Sequence, residues 1–241
     1  MFSSVFKSGQ PWLNRTDFTD FELALFALGC IGWVIAYIGV AVMLHRRKFV
    51  EIPAGAVAAN IAWEFVWGFI YGSNMGKLFT VGYALWCVQD VYIAYSVFKY
   101  GAKQLDNANL ARYFKPSFAF GIIAWGIGIY FFIGDGYDTG YGAISGYILN
   151  VMMSALYITL LLKHEVNDFS VVVGWSKMLG TLLLSAFNVM VKGDNLFLMS
   201  LCAITLVLDL VYLGLLHAKR SGATSFSMRP SVNASAARTA Q

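Results

Sequence analysis

The chain has 241 residues, of which 59% are hydrophobic and only 12% are charged, and its mean hydropathy is +0.64. A soluble domain carries roughly 25% charged residues, so this composition argues against an ordinary soluble enzyme and indicates a protein solvated largely by lipid. The net charge of +4 is small, and we expect no nucleic-acid partner.

Seven apolar stretches follow one another along the chain, each near the roughly 20 residues that a bilayer requires. They lie at about 22–44, 52–72, 79–99, 117–134, 141–162, 170–191 and 196–217, the fourth being the shortest. The sequence therefore predicts an all-α fold: a polytopic membrane protein built as a bundle of seven transmembrane helices. We expect residues 1–218 to form this domain and residues 219–241, rich in Ser, Ala and Arg, to form a disordered cytosolic tail.

The basic residues predict an orientation for these helices. Of the 17 Lys and Arg residues, four lie on the side of the amino terminus, twelve lie on the opposite side, and Lys177 lies inside the sixth stretch. Cytosolic loops carry the excess of positive charge in membrane proteins. We therefore expect the amino terminus to be lumenal or outside and the carboxyl terminus to be cytosolic, in the endoplasmic reticulum of a eukaryote or the plasma membrane of a bacterium.

Three acids lie far from any predicted helix end: Glu64, Asp90 and Asp209. With a rise of about 1.5 Å per residue, they fall at similar depths in the membrane and could line one cavity. The only nearby cation is Lys177, which we place closer to the cytosolic end. Because burial disfavours a carboxylate, we expect at least one acid to be protonated at neutral pH. The alternative is that these acids only hold neighbouring helices together.

Aromatic and polar residues share helix faces with the acids. Residues three, four or seven positions apart lie on one face, which groups Asn60 and Trp67 with Glu64, Trp86 with Asp90, and Tyr212 with Asp209. Two further polar stripes lie on the fifth and sixth helices: Tyr147, Asn150, Ser154 and Tyr157, and Lys177, Thr181, Ser185 and Asn188. Aromatic stripes alone also suit membrane interfaces and helix packing. Combined with uncompensated acids, they suit carbocation chemistry, in which an acid protonates an epoxide or olefin and π-faces stabilise the cation.

Four segments carry a resemblance to a known family. The segment NIAWEFVW at 60–67 resembles the NxAWE motif of the integral membrane terpene cyclases of fungal indole-diterpene and meroterpenoid pathways, the paxilline-pathway family. The segments LWCVQDV at 85–91, WSKMLGT at 175–181 and LDLVY at 208–212 also resemble family patterns, in the same order.

The resemblance implies an isomerase- or lyase-type enzyme that cyclises the polyprenyl chain of a meroterpenoid or prenylated indole, with Glu64 and Asp209 as the essential acids. We predict Glu64 as the general acid, Asp209 as its orienting or proton-relay partner, and Asp90 as a supporting acid. Substrate-binding residues are predicted to be Asn60, Trp63, Trp67, Trp86, Asn150, Lys177 and Tyr212. The sequence contains no DDxxD motif, which agrees with a reaction that uses no metal and no cofactor. One departure is Lys177, which stands where the family usually has Arg.

Two other classes compete with an enzyme. Membrane acids also serve proton relays, so a proton-coupled transporter of a small lipophilic molecule is the main alternative. The absence of internal repeats and of Pro from the middle of every predicted span argues against it. A rhodopsin needs a Lys in its last helix, and 195–217 contains none. The expected partners are a prenylated substrate and the lipid bilayer; no protein partner is inferred, and prenyl length, trigger, ring number and oligomeric state stay open.

Overall fold

A computed structural model of the chain describes residues 9–105 and 107–222. Within this part, the chain forms seven α-helices and no strand: α1 (Asp20–Arg47), α2 (Ala54–Phe65), α3 (Lys77–Tyr100), α4 (Ala108–Gly134), α5 (Ala143–Lys163), α6 (Val171–Lys192) and α7 (Leu196–Arg220). Each predicted apolar stretch coincides with one helix, and the all-α prediction is confirmed. Most of the predicted tail lies outside the described residues, so the division into domain and tail stays a prediction.

Local sequence signals explain where several helices begin. The side chain of Thr19 accepts a hydrogen bond from the backbone of Glu22, and Glu22 returns one to Thr19, which forms a complete capping box before α1. Asn107, Ser170 and Asn195 cap α4, α6 and α7 with their own side chains. These caps satisfy backbone amides that have no partner inside the helix.

Two helices differ from the predicted spans. α2 continues as a π-helical turn over Val66–Tyr71, directly after Glu64, so that segment is wider than a regular α-helix. α4 begins nine residues before the predicted start and continues through Pro116, which makes it 27 residues long rather than the shortest span. Pro116 is the ninth residue of α4 and lies just before the predicted start, and its missing amide removes one hydrogen bond from the helix.

Five helices, α1, α4, α5, α6 and α7, are long and apolar enough to cross a membrane. α2 is interrupted by its π-helical turn, and α3 is long enough but less apolar, since it carries Gln89 and Asp90. The protein is therefore an integral membrane protein, whereas the count of seven spans stays a prediction.

The helices pack around an interior in which α1 lies against α6, α5 against α7, and α2 between α3 and α4. The contact between α1 and α6 depends on glycines. A Cβ atom added to Gly32 would lie 2.7 Å from Cα of Gly180, and one added to Gly29 would lie 3.1 Å from the Gly180 carbonyl oxygen. Small residues let membrane helices approach this closely. The resulting bundle brings residues of α1, α2, α3, α5 and α6 around one interior cavity.

Candidate active site

The cavity leaves about 630 Å³ of space free of protein atoms, including its open mouth. Eight of its seventeen lining residues are aromatic: Phe26, Trp33, Tyr37, Trp63, Tyr83, Trp86, Tyr141 and Tyr147. The polar groups that reach it are few: Asn60, Glu64, Asn150 and Asn188. An apolar cavity with a few converging polar groups is the usual form of a small-molecule site.

Glu64 supplies the only carboxyl group in this lining, and its side chain is 2% exposed. The hydroxyl of Tyr37 donates a hydrogen bond of 2.8 Å to Oε1 of Glu64, and Nδ2 of Asn60 donates one of 2.9 Å to the same hydroxyl oxygen. Oε2 of Glu64 accepts no hydrogen bond from any donor in the described chain. One oxygen is therefore held in place and the other stays open for a proton.

Asp90 is a second carboxyl group close enough to Glu64 to interact with it electrostatically. Asp90 is completely buried, and no hydrogen bond joins the two carboxyl groups among the described residues. Neither oxygen of Asp90 has a donor among the described residues, and neither acid forms a salt bridge there. Two adjacent buried carboxyls without a cation cannot both ionise cheaply, so they favour sharing one proton. Such a pair can hold a neutral carboxylic acid at neutral pH.

Asp209 belongs to a different cluster, which corrects the expectation that three acids line one cavity. Nζ of Lys177 lies 2.5 Å from Oδ1 of Asp209 and donates a second hydrogen bond of 2.7 Å to Oγ of Ser154. Both charged side chains are almost fully buried. An isolated charge is costly in this environment, and Lys177 compensates the one on Asp209. The sequence placed Lys177 too near the cytosolic end to predict this pair.

The aromatic walls form a connected set of rings around the acid pair. The ring centroids of Trp63 and Tyr83 are 5.0 Å apart, those of Tyr83 and Trp86 are 5.8 Å apart, and those of Tyr37 and Trp86 are 6.4 Å apart. Trp33 adds a further ring at 6.0 Å from Tyr37. Aromatic faces this close together can stabilise a positive charge that moves along the cavity.

The two polar stripes on α5 and α6 face one another. Oη of Tyr147 donates to the carbonyl oxygen of Thr181 at 3.0 Å and lies 2.8 Å from Oγ of Ser185. Ser154 and Lys177 form the hydrogen bond described above. These bonds join α5 to α6, while Tyr147, Asn150 and Asn188 also line the cavity.

The predicted site residues thus divide into two groups. Glu64, Asn60, Trp63, Trp86 and Asn150 line the cavity. The others lie behind its wall or elsewhere: Asp90 pairs with Glu64, Trp67 packs behind Trp63 at 6.1 Å, Lys177 and Asp209 form the ion pair, and Tyr212 packs against Tyr157 at 5.3 Å.

Sequence reasoning missed the contribution of α1. Trp33 and Tyr37 both line the cavity, and Tyr37 bonds directly to the acid. They lie four residues apart and share one face of α1, with Phe26 seven residues before Trp33, so a signal existed. The face carries no acidic or basic side chain, and the prediction started only from acids.

No group of three or more His, Cys, Asp or Glu residues that could hold a metal ion exists within residues 9–105 and 107–222. The pair of Glu64 and Asp90 contains only two such residues, one fewer than this kind of group requires. The prediction that the reaction uses no metal stays a prediction.

The sequence model of the Pyr4-like transmembrane terpene cyclases matches residues 15–220. This range includes every helix and all of the cavity. No solved structure matches the chain.

Curated relatives match shorter segments. The terpene cyclase ascF of Acremonium egyptiacum is 29% identical over 114 residues, which cover 47% of this chain and 39% of the relative. The Pyr4-family terpene cyclase mfmH of Annulohypoxylon moriforme is 33% identical over 78 residues, 32% of this chain and 31% of the relative. The terpene cyclase atmB of Aspergillus flavus is 30% identical over 104 residues, 42% of each chain. The matched segments span less than half the length of each of these relatives.

Proposed function

Because this chain belongs to the Pyr4-like transmembrane terpene cyclases, we propose that it cyclises a polyprenyl chain by acid initiation and without a metal. Membership confirms the resemblance drawn from the four sequence motifs. The proposed substrate is a meroterpenoid or prenylated indole whose chain ends in an epoxide or an olefin. The relatives described above are terpene cyclases, so a transporter gains no support from them.

One observation carries this proposal: a buried acid pair without a bonded cation at the wall of an aromatic cavity. Glu64 faces the cavity, Asp90 lies behind it, and Tyr37 fixes one Glu64 oxygen. Glu64 is the proposed proton donor. Burial without a cation keeps this acid protonated at neutral pH, so it carries a proton for the substrate in a site where little water competes for it.

The chemistry balances without an external reagent. Glu64 transfers its proton to the epoxide oxygen, the C–O bond breaks, and the neighbouring olefin attacks the tertiary carbon. Each new C–C bond moves the positive charge to the next tertiary carbon, until a C–H proton leaves and a double bond forms. That proton is passed back to the Glu64 carboxylate, which restores the acid pair. The product is an isomer of the substrate. The aromatic walls favour the cationic stages, and their apolar surface keeps away water that would capture the cation.

Asp209 is proposed to take part in returning a proton to the acid pair. Nζ of Lys177 lies 5.7 Å from the ring centroid of Trp33 in the cavity wall, so the connection between the ion pair and the acid pair is proposed to run behind this wall. Lys177 holds Asp209 in place at one end of this connection. Asn60 and Asn150 are proposed to orient the polar head group of the substrate near the acid.

The proposal is tested with the purified protein in lipid nanodiscs and a chelator. A prenylated aromatic compound is supplied with and without its terminal epoxide, and products are identified by mass and ring connectivity. We expect an isomer with new rings from the wild type and a rate at least about 100-fold lower from Glu64→Gln, since general acids contribute 10² to 10⁴.

Glu165→Gln is the matched control, because this glutamate is exposed in the loop between α5 and α6. It should cyclise as fast as the wild type. Cyclisation by Glu64→Gln at the wild-type rate would overturn the role of Glu64. Proton flux in liposomes without any cyclised product would favour transport instead.

A further inference from the structure

A hydrogen-bonded row of three side chains runs from the loop after α4 to the cavity. Nε1 of Trp63 donates to Oγ of Ser145 at 2.7 Å, and Oγ of Ser145 donates to Oδ2 of Asp138. Trp63 lines the cavity, Ser145 is 5% exposed, and Asp138 lies in the loop between α4 and α5. Neither Asp138 nor Ser145 belongs to the motifs that identified the site.

The chemistry of the three groups fixes the direction of each bond. An indole nitrogen can only donate, and an ionised carboxylate can only accept. Ser145 therefore gives its one proton to Asp138 and accepts from Trp63 with a lone pair. Hydrogen bonds in such a row strengthen one another, and a charged acceptor strengthens them further.

The same carboxylate also holds the start of α5. Oδ1 of Asp138 accepts from the backbone amides of Thr139 at 2.8 Å and Ile144 at 2.9 Å, so Asp138 is anchored independently of Trp63. A carboxylate at a helix amino terminus is favourable in any protein, and this arrangement alone would give Asp138 only a structural role.

The indole of Trp63 is confined on its other sides. A Cβ atom added to Gly142 would lie 2.6 Å from Cζ2 of Trp63, and the ring of Tyr83 lies at a centroid distance of 5.0 Å. Gly142 also has φ of +81°, a conformation that suits glycine. The ring therefore packs against the turn that Asp138 organises, and Trp63 forms part of the cavity wall there.

We propose that Asp138 is a positioning residue that acts through Ser145 to hold the Trp63 indole in the cavity wall and to increase its electron density. This inference rests on the proposed cyclisation. A polarised N–H bond leaves more negative charge on the π-face, and the π-face is what attracts a cation. Asp138 thus favours late cationic stages over early loss of a proton or capture by water.

The experiment measures the ratio of fully to partially cyclised products, with the same substrates in nanodiscs. Asp138→Asn and Ser145→Ala should lower this ratio roughly two- to fivefold, the size expected from weakening one cation–π contact. Ser145→Thr keeps the hydroxyl and should restore the ratio. Asp135→Asn, an exposed carboxyl of the same loop, should leave it unchanged.

The decisive variant is Asp138→Asn in a Trp63→Phe background. If Asp138 acts through Trp63, the double variant should give the ratio of Trp63→Phe alone. If Asp138→Asn lowers the product ratio by the same factor in the Trp63→Phe background as in the wild type, the proposal is overturned and Asp138 acts only at the start of α5. Ser145→Ala keeps the bonds from Asp138 to the α5 backbone, so it tests the same point if Asp138→Asn folds poorly.

The outcomes also separate this inference from the function on which it rests. A wild type that forms rings, with a ratio unaffected by Asp138→Asn and Ser145→Ala, overturns only the positioning role. A wild type that forms no ring from any substrate overturns the proposed function and this inference with it.

Discussion

At the scale of residues, the two buried acid clusters differ in how their charge is balanced. Among the described residues, no cation bonds to Glu64 or Asp90 and Tyr37 is a neutral donor to Glu64, whereas Asp209 has Lys177. The sequence predicted all three acids as candidate functional residues, because an ionisable side chain is costly inside a membrane. It could not predict which of them pair, because the rotation and depth of each helix decide which side chains meet.

The ion pair predicts a stability effect. Lys177→Met leaves the Asp209 carboxylate buried without a cation, and breaking a buried pair typically costs about 3–5 kcal/mol. We expect a marked drop in the midpoint of thermal unfolding in detergent. The double variant Lys177→Met/Asp209→Leu should recover most of the loss, because no buried charge remains.

Lys163→Met is the control for this experiment, since Lys163 is an exposed residue at the end of α5. It should leave the free energy of unfolding within about 0.5 kcal/mol of the wild-type value, with little change in the midpoint. A Lys177→Met protein as stable as the wild type would contradict the structural role of the pair.

At the scale of elements, the positions of the helices could be predicted because each apolar stretch is long and bounded by polar residues. The π-helical turn at Val66–Tyr71 could not, since no residue type specifies an i to i+5 hydrogen-bond pattern. The contribution of α1 to the cavity was missed for a related reason. It depends on the glycine contact with α6, which orients Trp33 and Tyr37 inward, and such a contact needs both helices to be placed.

That glycine contact is open to a direct test. Gly32→Ala would put a Cβ atom 2.7 Å from the Gly180 backbone, which cannot move aside as a flexible side chain can. We expect α1 and α6 to separate slightly, with a loss of about 1–3 kcal/mol in unfolding free energy. Cyclisation should weaken as well, because α1 carries Tyr37.

Gly82→Ala in α3 provides the comparison, since an added Cβ there meets no atom within 4 Å. It should be neutral or slightly stabilising, because alanine favours helix more than glycine does. Equal effects of Gly32→Ala and Gly82→Ala on unfolding would contradict close packing of α1 on α6.

The connection from α1 to α2 predicts a pH dependence. Glu51 lies outside the membrane-spanning helices, its Oε2 accepts from the amide of Ser170 at 2.7 Å, and burial raises its pKa from 4.5 to about 7 despite Arg47 and Arg220 nearby. The folded state therefore binds more protons than the unfolded state between these values. The contribution of Glu51 to stability should therefore be fully present below about pH 4.5 and fall by up to about 3 kcal/mol as pH rises through 7.

Glu51→Gln removes this titration and should flatten the change in unfolding midpoint between pH 5 and 8. The slope is measured against the wild type in the same detergent. A variant with an unchanged slope would show that other groups produce the dependence.

At the scale of the whole molecule, the unequal distribution of Lys and Arg predicts how the bundle sits in the membrane. Single-cysteine reporters at Arg15 and Arg112, in a protein lacking the three native cysteines, should react from opposite sides of sealed vesicles with an impermeant maleimide. We expect Arg15→Cys to label from the lumenal or outer side and Arg112→Cys from the cytosolic side. Labelling of both from one side would contradict an odd number of spans between them.

The proposed chemistry depends on a proton that the Glu64 and Asp90 pair keeps at neutral pH. Infrared difference spectroscopy of the protein in nanodiscs measures it directly, through the carbonyl stretching band of a protonated carboxylic acid. We predict such a band in the wild type at pH 7 whose position or intensity changes in Glu64→Gln and stays the same in Glu165→Gln. A wild-type spectrum that Glu64→Gln does not change in this region would contradict it.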